Sequence, residues 1–141
     1  RDEDRALIDD WLALLAAETT DHTIAWRRLA GWTMTDATPV RDLFLDRARF
    51  DAWAARYAAR LEAEGSSDAE RAARMNRVNP KFVLRNHLCE TAIRAAEAGD
   101  FGETRTLLKV LERPYDEQPE HSAYADFPPD WAQTIEVSCS S

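Results

Sequence analysis

Apolar residues recur along this chain at helical spacing, and short polar gaps interrupt them. Leu7, Ile8, Trp11, Leu12, Leu14 and Leu15 follow at steps of one, three and four, which predicts a helix over 5–18 with one wide apolar face. Ile24, Ala25, Leu29 and Trp32 predict a shorter helix over 21–32, capped by Thr20 or Asp21. Thr38-Pro39 reads as an N-cap followed by proline at the first helical position. The pattern resumes through Leu43, Phe44, Phe50, Trp53, Tyr57 and Leu61 and stops at Gly65. Ser67 and Glu70 have capping-box spacing, so a short helix is expected over 68–77. Asn79-Pro80 predicts the opening of the next helix, which runs through Leu84, Leu88 and Ile93 and closes at Gly99. Asp100 and Glu103 repeat the capping-box spacing, and a last helix carries Leu107, Leu108 and Leu111 and ends before Pro114.

Beyond Tyr115 the periodicity is lost. Pro119, Pro128 and Pro129 predict an irregular segment, with one helical turn at Asp130-Trp131 and a weak strand alternation at Thr134–Val137. The expected fold is all-α: six or so helices packed over residues 1–114, then an extended, Pro-containing acidic tail over 115–141. No pattern recurs at fixed period between 5–32 and 80–112, so a helical repeat is not indicated.

Charge sharpens that division. The 141 residues carry a net charge of −8. Residues 1–114 hold all 18 basic groups and 20 acidic ones, whereas 115–141 hold six carboxylates and no Lys or Arg. The tail is read either as a solvated segment or as a strap lying on a basic surface. The overall balance argues against a nucleic-acid partner or an anionic membrane surface. No apolar run approaches a membrane span. The opening Arg1-Asp2-Glu3-Asp4 shows no signal peptide, and a first residue other than Met points to a fragment.

Candidate chemistry is sparse. His22, His87 and His121 are far apart and lack metal-ligand spacing, and His87 adjoins an apolar stripe, as a structural histidine does. Four glycines, at 31, 65, 99 and 102, make no phosphate loop. Asp9-Asp10 read as a solvated face rather than an acid/base pair. Arg27-Arg28, and Arg71, Arg74 and Arg77 with Lys81, are candidate contacts for phosphate or acidic partners or else salt-bridged faces, and Asn79-Pro80 is expected to separate Lys81 from the rest. Trp11, Trp26 and Trp53 fall on apolar helix faces. Trp131 follows Phe127-Pro128-Pro129-Asp130 and is read as an anchor that pins the tail to the body or to a neighbouring domain. Cys89 lies in a helical pattern and is read as a small buried hydrophobe. Cys139, two residues from the chain end among serines, is read as an exposed, reactive thiol. Two thiols without an export signal suggest a reducing compartment.

The string Asn79-Pro80-Lys81-Phe82-Val83-Leu84-Arg85-Asn86 resembles a segment of the selenoprotein O (YdiU) family. Three more strings fit in order: Ala92–Phe101 (AIRAAEAGDF), Pro114–Glu117 (PYDE) and Pro128–Ala132 (PPDWA). The ending Val137–Ser141 (VSCSS) is similar to the family's C-terminus, and residues 41–61 resemble its preceding helical stretch less specifically. The resemblance implies a kinase-like protein adenylyltransferase that binds ATP in a flipped orientation with Mg or Mn. Such an enzyme transfers AMP to Ser, Thr or Tyr hydroxyls of protein substrates in the cytoplasm. The family's nucleotide-binding motifs lie upstream of the matching region. By this resemblance the chain is the helical C-terminal region that supports the kinase-like core, itself without catalytic, cofactor-binding or metal residues. Selenocysteine-containing members place selenocysteine where Cys139 stands. In cysteine-containing members the terminal cysteine forms a regulatory disulfide with a cysteine of the core. Glu136 rules out a local CxxC, so a partner for Cys139 lies outside the chain or is Cys89. The competing expectation is a stand-alone helical protein–protein interaction module, for which the charge asymmetry and Trp131 serve equally well.

Overall fold

The computed structural model describes residues 2–33 and 35–134, and every structural statement below concerns these residues. They form seven α-helices followed by two 3-10 segments. The helices are α1 (Asp2–Glu18), α2 (His22–Ala30), α3 (Thr38–Arg41), α4 (Arg47–Glu64), α5 (Asp68–Val78), α6 (Asn86–Glu97) and α7 (Gly102–Glu112). The 3-10 segments are Pro119–Ala125 and Asp130–Thr134. The all-α architecture with a Pro-containing acidic C-terminal segment is thus the observed one. The chain divides into two compact units, Arg1–Arg77 and Val78–Ser141.

The first unit is organised around aromatic rings. Trp11 on α1 is fully buried and meets Trp26 and Phe44 edge-on, each at 5.9 Å, and Trp53 at 4.7 Å. Phe44 stacks on Phe50 at 5.1 Å, and Trp53 on Tyr57 at 5.0 Å. Leu14, Leu15, Leu29, Val40 and Ala54 fill the space between them. The periodic faces predicted for α1, α2 and α4 therefore share one core, except that Ile8 and Leu12 of the wide α1 face are exposed. The Trp53 indole N–H also donates to the Leu7 carbonyl at 2.9 Å, which fixes α4 against α1.

The local stop and start signals work as expected at several ends. Asp21 accepts from the Ile24 N–H at 3.0 Å and caps α2. Ser67 Oγ accepts from the Glu70 N–H at 3.2 Å ahead of α5. Gly65, with φ of 75°, closes α4 in the left-handed conformation that a Cβ disfavours. Gly99, with φ of 87°, ends α6 in the same way, and the next residue's N–H reaches back to Ala95 O.

Two expectations need correction. The segment from Thr38 to Gly65 is not one continuous helical stretch. Ala37 takes the N-cap position of α3, the helix ends at Arg41, and a new one starts behind Asp46. The Glu18 carboxylate at the end of α1 accepts from the N–H groups of Leu45 (2.6 Å) and Asp46 (3.2 Å), holding the intervening turn open. Likewise, Asn79-Pro80 does not open a helix. Residues 79–85 are non-helical, and α6 begins at Asn86. The N–H groups of Lys81 and Phe82 both donate to the Pro114 carbonyl, at 2.9 and 3.2 Å, and the Phe82 ring is buried. At Asp100, the side chain caps the Gly102 N–H in a tight turn (2.9 Å), and Phe101 is the N-cap of α7.

Candidate functional site

The chemistry-bearing residues of the second unit gather on the α6–α7 hairpin. Residues following α7 are held there by polar contacts at regular intervals. The Gln118 side chain is buried, and its Nε2 donates to Val110 O at 3.0 Å and Arg113 O at 2.8 Å. It thereby adds a second donor to carbonyls at the end of α7 that also accept from the Arg113 and Asp116 N–H groups, at 3.2 Å each. Lys81 Nζ donates to Glu117 O at 2.5 Å. Tyr124 donates its phenolic proton to Glu103 on α7 at 3.1 Å. Burial, reinforced by that hydrogen bond to a carboxylate, raises the Tyr124 pKa above the ordinary phenol value.

Trp131 stands in the 3-10 segment Asp130–Thr134, the single turn expected from the sequence. Its ring centroid lies 6.4 Å from that of His87, edge to face, and the Arg94 guanidinium carbon lies 5.9 Å from the ring centroid. His87 is buried in the first turn of α6, and its Nδ1 has no hydrogen-bond partner. Burial and the neighbouring Arg85 charge push its pKa below that of an ordinary imidazole. Cys89, two residues further along α6, is half-buried and disulfide-bonded, not the free apolar thiol expected from its surroundings in the sequence. Cys139 lies outside the described residues, as do positions 135–137 of the expected strand.

Most of the remaining candidates make contacts within the chain. Arg27 donates to Asn76 O at 3.2 Å and Arg28 to Pro39 O at 2.9 Å, so this pair ties backbone segments together. Asp10 pairs with Arg56 at 2.6 Å. Arg71 is buried, Arg74 faces Glu64 at 3.5 Å and Lys81 faces Glu117, so each of these three cations has a carboxylate or buried partner of its own. His22 is exposed at the start of α2, and the His121 ring lies edge-on to Tyr124 at 5.9 Å. Among the described residues no group of three or more His, Cys, Asp or Glu is placed to hold a metal ion. No described helix is long and apolar enough to cross a membrane. Gln118 carried no signal in the sequence, because its partners are backbone atoms brought to it by the turn at Pro114.

Comparison with known proteins gives this arrangement a context. Residues 1–112 match the family described as Protein adenylyltransferase SelO. The chain is 58% identical over 144 residues to a protein nucleotidyltransferase YdiU of Burkholderia pseudomallei, and equally to those of Burkholderia mallei and Burkholderia multivorans. In each case the match covers 100% of this chain and 28% of the relative. The chain thus spans little more than a quarter of the length of these curated relatives.

Proposed function

Because the chain belongs to the SelO family of protein adenylyltransferases, we propose that it is the helical C-terminal region of a longer enzyme that transfers AMP from ATP to hydroxyls of protein substrates. The observation that carries this reading is the mismatch of lengths: all of this chain aligns, to only 28% of each relative. ATP and Mg or Mn then belong to an upstream kinase-like core, and residues 1–114 buttress that core while 115–141 form the acidic tail. Apolar positions left on the surface support a buttressing role. Leu84, Ile93 and Leu108 are 37%, 43% and 58% exposed, although the sequence pattern assigns them to apolar faces. The 141 residues alone, given ATP and Mg or Mn, are expected to label no protein with AMP, while a chain extended upstream to the length of the relatives labels its substrates. Transfer by the 141 residues alone overturns the proposal.

Within this reading Trp131 anchors the tail, supported by its contacts with His87 and Arg94, and Cys139 acts as a redox-responsive latch. That Cys89 is disulfide-bonded supports redox chemistry at the cysteines of this chain. Digestion of the oxidised protein is expected to yield a Cys89–Cys139 cross-linked peptide that dithiothreitol removes. Two free thiols after oxidation contradict the latch.

A further inference from the structure

A cleft of about 440 Å³ in the first unit has no role in the reading above. Its apolar wall is formed by Trp32 and by Ala58 and Leu61 on α4, and its polar side by Ser66 in the α4–α5 turn and by Asp68 and Arg71 on α5. Three buried polar atoms of these residues have no hydrogen-bond partner: Trp32 Nε1, Ser66 Oγ and Arg71 Nε. Trp32 is 5% exposed and Arg71 3%. A buried donor left without an acceptor bears its full desolvation cost, so such groups are rare without a reason.

Arg71 is not free to turn away to water. Its Nη2 donates to Trp32 O at 2.9 Å and to the Asp68 carboxylate, and its guanidinium carbon lies 6.0 Å from the Trp32 ring centroid. Residues lining the cleft thus carry two fixed N–H donors and a hydroxyl without partners, beside an apolar wall. The charge around it selects the acceptor. Asp68 already neutralises Arg71, and the carboxylate of Glu62 also lines the cleft, so an anionic ligand meets net negative charge. A neutral carbonyl oxygen on an apolar body suits both the donors and the wall. A peptide residue is such a group, and the cleft's volume is at the small end for ligand sites.

We propose that this cleft binds a peptide segment, with an apolar side chain on Trp32, Ala58 and Leu61 and a backbone carbonyl accepting from Trp32 Nε1 and Arg71 Nε. The site is independent of AMP transfer, so neither reading stands or falls with the other. The test follows the indole N–H resonance of Trp32 in a nitrogen-15 spectrum of the 141-residue chain, assigned by its disappearance in Trp32→Phe. Titration with N-acetyl-leucine N′-methylamide is expected to shift that resonance saturably in the millimolar range, as suits so small a ligand. The anionic N-acetyl-leucine is expected to bind more weakly. Ala58→Leu fills the cleft and is expected to abolish the shift. Ser66→Ala, a milder change in the α4–α5 turn, removes a hydroxyl that bonds the same peptide group and is expected to weaken binding about threefold, the loss of one neutral hydrogen bond. No shift with the amide means that an ordered water alone satisfies these donors, and equal or tighter binding of the carboxylate means an anion site. Either result overturns the proposal.

Discussion

His87 shows how much one side chain's surroundings change its chemistry. In the sequence it is a polar residue beside an apolar stripe. In the structure it is buried at the start of α6, next to Arg85 and under the edge of Trp131. Its pKa is lowered from 6.5, first by burial and then by the Arg85 charge. A base whose folded pKa lies below its unfolded one binds fewer protons folded than unfolded. Stability is then full above the unfolded pKa and falls as the pH drops below it. The urea midpoint, followed by circular dichroism, is expected to fall between about pH 7 and about pH 5, across the unfolded imidazole pKa. His87→Gln is expected to flatten that slope, and an unchanged slope in the variant places the titration elsewhere.

At the level of the helices, the ends decide the topology. Gly65 is the clearest case, since a Cβ built there meets nothing within 4 Å and the whole cost of replacing it is conformational. Gly65→Ala is expected to destabilise the first unit by about 1 kcal/mol, through left-handed strain alone. Gly65→Asn is expected to cost less, because Asn tolerates that conformation. Equal thermal stability of Gly65→Ala and the parent sequence contradicts this account of the α4 terminus. The helix ends that the sequence reveals (Asp21, Ser67, Gly65, Gly99) have partners three to five residues away. The interruptions at 42–46 and 79–85 were not legible, because they rest on the Glu18 carboxylate and the Pro114 carbonyl, some 27 and 33 residues off.

At the scale of the whole chain, six of the eight net negative charges belong to residues 115–141. The described part of that segment is held to α7 by Tyr124 and lies against α6 through Trp131. In the reduced protein, deleting residues 119–141 is expected to speed amide exchange in α6 and α7 and to cost about 2 kcal/mol, from one hydrogen bond and one aromatic contact. Unchanged exchange in both helices means that the segment does not support the hairpin.

Local order along this chain follows from short-range rules. Helix periodicity, caps within a turn and the proline-rich change at 115 depend on neighbours in sequence, so the residues alone dictate an all-α body, its acidic end and the family strings at 79–132. Placement across long separations follows from packing. The burial of Arg71 against Trp32 and the two breaks in the helical pattern each join groups that local propensity treats as unrelated. A buried polar atom needs a partner wherever the folded chain brings one near, and that proximity exists only once the helices have packed.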